Sequence, residues 1–107
     1  MPPTIKLSGK GEAMLDPQAR QDALRNSPDW SYQDNALVRT LAFPDFRKAL
    51  AFVNRVGDVA EQAGHHPDID IRYNRVRFAL STHDAGGVTA KDFDVARQID
   101  ALVAAKE

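Results

Sequence analysis

The hydrophobic period changes from strand-like to helical and back along the chain, and this change constrains the fold more than any other feature. Between Asp45 and Ala63, apolar residues recur at steps of three and four, which predicts an amphipathic helix of about five turns. Gly64 is a typical residue to end it. On either side, residues 30–43 and 68–80 are rich in β-branched and aromatic residues or alternate between apolar and polar, which predicts strands.

Turn and cap signals divide the rest of the chain. Asp34-Asn35 interrupts the first strand segment, and Asn74 interrupts the second, so each segment is predicted to be a pair of strands joined by a turn. Asp16-Pro17 is a helix start, and this first helix is predicted to continue to about Arg25. The run Thr89-Ala90-Lys91-Asp92 has the spacing of a capping box and predicts a last helix.

The predicted order is therefore helix, two strands, helix, two strands, helix. Short strand pairs separated by helices favour an α+β fold in two layers, with an antiparallel sheet covered on one face. A chain of 107 residues is predicted to form a single domain, 1–107. Residues 1–15 carry no comparable pattern, and we expect them to form a loosely ordered N-terminal extension.

Charge and composition exclude several functional classes. The 14 basic and 15 acidic residues give a formal net charge of −1, so the chain has no strong field for nucleic acid or an anionic membrane. No signal peptide and no membrane-spanning run is recognisable, and we expect a cytoplasmic protein. The absence of cysteine excludes disulfides, thiol catalysis and thiolate zinc sites.

All three histidines fall at the ends of predicted elements, where loops commonly carry function. His65 and His66 follow the long helix, and His83 follows the second strand pair. Glu61 lies four residues before His65, so its carboxylate could reach that imidazole, although an exposed helix residue is the simpler interpretation. Asp92 could support a site from the last helix, but a capping box requires a carboxylate there for structural reasons.

Two aromatic residues could lie against a flat ligand. Trp30 and Tyr73 are the candidates, but Tyr73 alternates in phase with Ile69 and Ile71, which favours core packing. A zinc site built from the three histidines is a further possibility. The adjacent positions of His65 and His66 argue against it, because neighbouring side chains in an extended segment diverge.

The residues around these histidines resemble a known family. The run Glu61–Asp68, then Tyr73, Ser81–Asp84, Gly86–Thr89 and Asp92 are similar to the signature of the pterin-4a-carbinolamine dehydratase family. The resemblance extends from about Asp16 to the C-terminus. It implies a four-stranded antiparallel sheet packed against helices, and subunits that pair into homodimers or homotetramers.

The resemblance also implies a reaction. Family members remove water from a 4a-hydroxytetrahydropterin, the product of pterin-dependent aromatic amino acid hydroxylases, and give the quinonoid dihydropterin. The pterin is the substrate, and no cofactor or metal is implied. A pterin-dependent hydroxylase is a possible partner.

Matched residue by residue, His65, His66 and His83 correspond to the catalytic histidines of the family. We expect His65 and His83 to be the acid and base and His66 to bind and orient the substrate. Glu61 is then expected to orient His65, with Asp92 supporting the site. Further expected contacts to the substrate are Trp30, Tyr73, Pro67, Thr82 and Asp84.

Two other functions compete with this interpretation. Members of the family also act as dimerisation cofactors of a transcription factor, so the chain could be a non-catalytic interaction module of the same fold. A small metalloprotein that uses the same histidines is the other alternative.

Overall fold

The computed structural model describes residues 13–106, and its elements follow the predicted order. The α-β-β-α-β-β-α arrangement predicted from the sequence is therefore confirmed. A short 3-10 helix, His83–Ala85, lies between the last strand and the last helix. The elements are α1 Pro17–Arg25, β1 Ser31–Gln33, β2 Ala36–Ala42, α2 Phe46–Ala63, β3 Asp68–Arg72, β4 Arg75–Leu80 and α3 Ala90–Lys106.

The four strands form one antiparallel sheet in the order β1-β2-β4-β3. The two central strands, β2 and β4, are far apart in the chain but pair directly, with Leu37 opposite Leu80 and Leu41 opposite Val76. Helices α2 and α3 pack against each other and against these two strands. This arrangement is the two-layer α+β fold predicted from the sequence.

The core lies between the central strands and the two long helices. Phe78 of β4 is fully buried and meets Phe52 of α2, with ring centroids 6.0 Å apart in an edge-to-face arrangement. Phe93 and Ile99 supply the matching face of α3. Burial of these apolar side chains is the main favourable contribution to folding.

Trp30 belongs to this core. Its side chain is only 4% exposed, and its indole N–H donates to Oδ1 of Asp100 at 2.8 Å. The same carboxylate oxygen accepts from Arg39 at 2.5 Å. The expectation that Trp30 lies against a substrate is therefore wrong, because the indole is enclosed and its one polar group already has a partner.

Tyr73 is placed differently from its predicted core position. The last pair of the β3–β4 ladder is Arg72 opposite Arg75, so Tyr73 and Asn74 form the turn rather than continuing the alternation. Tyr73 has φ +53° and is 68% exposed. Asn74 holds the turn in place, because its side-chain amide donates to the carbonyl oxygen of Phe43 at 2.7 Å.

The N-terminal residues are only partly described. Residues 1–12 of the predicted loosely ordered extension lie outside the described residues. Leu15 is attached to the domain, since its N–H donates to the carbonyl oxygen of Val88 at 2.9 Å and its side chain packs against the core. Within residues 13–106, no helix is both long enough and apolar enough to cross a membrane.

The end of α2 sets the direction of the chain at the histidine pair. Gly64 has φ +65°, a conformation that glycine adopts without strain. The Gly64 N–H donates to the Glu61 carbonyl at 3.3 Å, and the His65 N–H donates to the Ala60 carbonyl at 3.2 Å. These two bonds form a Schellman motif, which turns the chain sharply and brings His65 back toward the domain.

Two glycines, one inside α2 and one directly after it, allow a matched test of this geometry. A methyl group at Gly57, inside α2, or at Gly64 meets no atom within 4 Å. The two substitutions to alanine therefore differ only in the backbone conformation of the glycine that is replaced. We expect Gly57→Ala to raise the free energy of unfolding by about 0.5–1 kcal/mol, as for any helix-interior glycine. We expect Gly64→Ala to lower it by about 1–2 kcal/mol because of its left-handed conformation. Urea unfolding followed by circular dichroism measures both free energies. Changes of the same sign in the two variants would contradict the left-handed conformation of Gly64.

Candidate active site

The three histidines lie together at one pocket of about 320 Å³. The pocket forms where the chain leaves α2, where it leaves β4 and where α3 begins. His65 and His66 come from the first of these points and His83 from the second. The lining residues are Gly64, His65, His66, Ser81, Thr82, His83, Asp84 and Lys91.

A tight loop presents His83 and Asp84 to the pocket. Thr82 and Gly87 close the loop, since the Thr82 N–H donates to the Gly87 carbonyl at 2.8 Å and the Gly87 N–H returns a bond of 3.3 Å. Gly86 has φ +81°, which lets the chain reverse within the 3-10 turn. His83 and Asp84 are both exposed at the tip of this loop.

Asp92 is the buried partner of His65. Oδ1 of Asp92 lies 2.5 Å from Nε2 of His65, and the side chains are 0% and 12% exposed, respectively. Asp92 stands in the first turn of α3, where the helix dipole favours a negative charge. The pair therefore joins the turn after α2 to the start of α3.

The other oxygen of Asp92 is also fully used. Oδ2 accepts from the hydroxyl of Thr82 and from the backbone N–H of Thr89, both at 2.8 Å. The Thr89 hydroxyl lies 2.9 Å from that of Thr82 and accepts from the Lys91 N–H at 3.2 Å. Since the Thr82 hydroxyl proton points to Asp92, the Thr89 hydroxyl must donate to Thr82.

This network determines the tautomer of His65. An ionised carboxylate can only accept, so the ring nitrogen that faces Asp92, Nε2, carries the proton. Nδ1 is then the nitrogen left free to exchange a proton with a ligand. Asp92 was predicted to be either a helix cap or a support for the site: its Oδ2 accepts from the Thr89 N–H, as a cap does, and its Oδ1 contacts His65.

Glu61 pairs with a different histidine from the one predicted. Oε2 of Glu61 lies 2.6 Å from Nε2 of His66, so the expectation that Glu61 orients His65 is wrong. The spacing of four residues brings side chains together only while the helix continues. The helix ends at Gly64, and the turn that follows points His65 toward α3 and leaves His66 beside Glu61. Both members of this second pair are exposed, His66 at 59% and Glu61 at 77%.

Lys91 is a lining residue that we did not single out in the sequence. It stands next to Asp92 in the first turn of α3 and is half-buried. The sequence does indicate its position, because Lys91 lies inside the capping box that contains Asp92. Within residues 13–106, the ring of His83 has no hydrogen bond, so it is available to a ligand.

Several predicted substrate contacts have other positions. Trp30 is in the core, Tyr73 is in an exposed turn, and Pro67 is not among the residues that line the pocket. Thr82 lines the pocket but is buried, and its hydroxyl is committed to Asp92. Asp84 is exposed and lines the pocket, as a substrate contact requires.

The pocket combines groups that can move protons. It holds two imidazoles with carboxylate partners, the imidazole of His83, and the ammonium group of Lys91. Imidazoles exchange protons near neutral pH, which suits general acid and base catalysis. In the described part of the chain, no three histidine, aspartate or glutamate side chains are grouped so that they could hold a metal ion.

Fold and pocket together define a small α+β protein with a histidine-lined site supported by a buried carboxylate. Comparison with known proteins identifies the family to which this protein belongs. Residues 13–102 match the family model described as pterin 4 alpha carbinolamine dehydratase. The chain belongs to this family, which confirms the resemblance seen in the sequence.

Relatives of similar length support the assignment. A protein of Acidobacterium capsulatum is 56% identical over 91 residues, which cover 85% of this chain and 99% of that one. A protein of Chloroflexus aurantiacus is 57% identical over 82 residues, which cover 77% of this chain and 88% of that one. Both carry the provisional name pterin-4-alpha-carbinolamine dehydratase.

Two solved structures have a similar fold. A crystal structure from Brucella melitensis, described as a transcriptional coactivator/pterin dehydratase, has a TM-score of 0.78 and 36% identity, covering 82% of this chain and 96% of that one. A pterin dehydratase-like protein described as a RuBisCO assembly factor in the alpha-carboxysome has a TM-score of 0.59 and 25% identity. The match covers 69% of this chain and 88% of that one.

The buried network can be tested by stability. Thr82→Val removes a hydroxyl that donates to a buried carboxylate, so we expect the free energy of unfolding to fall by about 1.5–3 kcal/mol. Thr40→Val is the matched control, because Thr40 is exposed in β2 and its side chain makes no hydrogen bond within residues 13–106. We expect its effect to stay within about 0.5 kcal/mol. Equal effects in urea unfolding would contradict the network.

Proposed function

We propose that this chain is a dehydratase that converts 4a-hydroxytetrahydropterin to quinonoid dihydropterin and water. The observation that carries the proposal is the His65–Asp92 pair, which lies at a pocket shared with His83 in a member of this family. The pocket volume of about 320 Å³ is within the range that small-molecule sites occupy.

The reaction requires two proton transfers. One proton is added to the hydroxyl on C4a, so that the C–O bond breaks and water leaves with the bonding electrons. The other is removed from N5, whose electrons form the new C4a=N5 double bond. Nothing is oxidised or reduced overall, so the proposal includes no redox cofactor, and it assigns both proton transfers to side chains rather than to a metal.

We assign the two transfers to His65 and His83. Asp92 fixes the His65 ring through Nε2, so its Nδ1 can act on the substrate without the ring having to reorient. His83, exposed on its loop, supplies the opposite transfer. One of the two imidazoles acts as the acid and the other as the base, since a positioned histidine can serve in either role.

The remaining lining groups are assigned to binding. His66, held by Glu61, lies at the exposed edge of the pocket and orients the substrate. Asp84 and Lys91 offer an acceptor and donors to the polar atoms of the pterin ring. The proposal also includes a pterin-dependent hydroxylase as the supplier of the substrate, a homodimer or homotetramer as the assembly, and the cytoplasm as the location.

The proposed reaction can be measured directly. A pterin-dependent aromatic amino acid hydroxylase generates the carbinolamine, and its absorbance decay is followed with and without the protein. We expect His65→Ala and His83→Ala each to lower the catalysed rate by about 10²–10⁴-fold, the value of a well-placed acid or base.

His66→Ala is the matched control for this assay. It removes the same type of side chain from the same pocket but leaves the buried pair intact, so we expect a weaker effect that falls mainly on KM. The proposal would be contradicted if the carbinolamine decayed at the same rate with the wild-type protein as in buffer. Equal losses of kcat for all three variants would contradict the assignment of proton transfer to His65 and His83 and of binding to His66.

An interaction module of the same fold is the second candidate. The structures from Brucella melitensis and from the alpha-carboxysome support it, because their descriptions name a coactivator and an assembly factor. This candidate predicts a stoichiometric partner that co-purifies with the wild-type chain and no acceleration of carbinolamine decay. Acceleration that His83→Ala abolishes would favour the enzyme instead.

A further inference from the structure

The sheet has a second face, which the two long helices do not cover. Because side chains alternate along a strand, the residues between the core positions of β4 point to this open face. They include Arg75 and Arg77, and the register places Arg72 of β3 directly opposite Arg75. We call these three residues the arginine cluster.

The arginine cluster brings like charges together, and Asp70 compensates them only in part. Residues directly opposite on antiparallel strands have Cβ atoms about 4.5–5.5 Å apart, and like charges there are destabilising. Arg72 pairs with Oδ1 of Asp70 at 3.4 Å, and the two side chains are 80% and 50% exposed. Within residues 13–106, Arg75 and Arg77 form no ion pair.

The cluster surrounds a depression rather than a flat surface. A cavity of about 220 Å³ is lined by the three arginines together with Thr40 and Asp70. Arg77 lies between Thr40 and Asp70 in the register, and the residue opposite Arg75 on β2 is Ala42, whose small side chain leaves room. Among residues 13–106, the cavity and the histidine pocket are lined by different residues.

We propose that the arginine cluster is a binding site for a dianionic phosphate group carried by a small molecule. Three guanidinium groups and one carboxylate leave two positive charges, which match the charge of about −1.5 to −2 on a phosphate monoester. Arginine forms paired hydrogen bonds with phosphate oxygens, and the Thr40 hydroxyl adds a further donor. The compact cavity favours one multivalent group over an extended acidic peptide.

Titration with inorganic phosphate tests the site. We expect saturable shifts of the arginine side-chain NMR signals and a rise in the thermal midpoint with phosphate, at constant ionic strength adjusted with chloride. Arg75→Gln combined with Arg77→Gln is expected to weaken phosphate binding at least tenfold. Asp70→Asn removes the carboxylate that lines the cavity and is expected to tighten phosphate binding severalfold.

Two controls separate this site from general charge effects. Arg47→Gln removes an exposed arginine of α2 outside the cavity, and we expect unchanged phosphate affinity. Glucose 6-phosphate and a phosphoserine peptide distinguish a phosphate on a small molecule from one on a protein. Binding of the phosphoserine peptide without binding of glucose 6-phosphate would overturn the proposal.

Three other outcomes would also overturn it. They are shifts that do not saturate, an equal loss of affinity in the Arg47 variant, and a change in sedimentation of the Arg75 and Arg77 variant without loss of phosphate affinity. The last outcome would assign the cluster to a contact between copies of the chain. Urea unfolding shows whether the variants remain folded, and removing the repulsion should leave their stability unchanged or higher.

Discussion

The site depends on the hydrogen bonds that the buried carboxylate of Asp92 accepts. Burying a charge is costly unless it is fully hydrogen-bonded, and Asp92 meets this condition with three donors: the Thr82 hydroxyl, the Thr89 N–H and the ring of His65. These donors come from three separate points of the chain. One side chain therefore joins the end of α2, the loop after β4 and the start of α3, and the pocket forms where they meet.

The contrast between the two histidine–carboxylate pairs shows what this burial contributes. Their distances are similar, 2.5 Å for His65 with Asp92 and 2.6 Å for His66 with Glu61. The first pair is shielded from water and the second is exposed, and electrostatic interactions weaken when solvent screens them. A ring held by a shielded carboxylate keeps one orientation and one tautomer, which a proton-transfer group requires.

The sequence predicted the fold well because local signals and tertiary structure agree. The periods of α2 and β4, the cap at Asp16 and the stop at Gly64 all act within a few residues of chain. Prediction failed where geometry depends on a turn or on distant packing. The turn after α2 decides that Glu61 meets His66, the two-residue turn exposes Tyr73, and the distant Asp100 engages the indole of Trp30. The three histidines were found because they end regular elements, whereas Lys91 was hidden within a capping pattern.

The tautomer of His65 tests the account most directly. Long-range 1H–15N NMR of histidine-labelled protein distinguishes a protonated from an unprotonated ring nitrogen. At a pH where the imidazoles are neutral, the account predicts a proton on Nε2 of His65 and none on Nδ1, with this preference weakened in Asp92→Asn. A proton on Nδ1 in the wild-type protein would contradict the account, because Nε2 would then not donate to Asp92 and Nδ1 would not be free for the substrate.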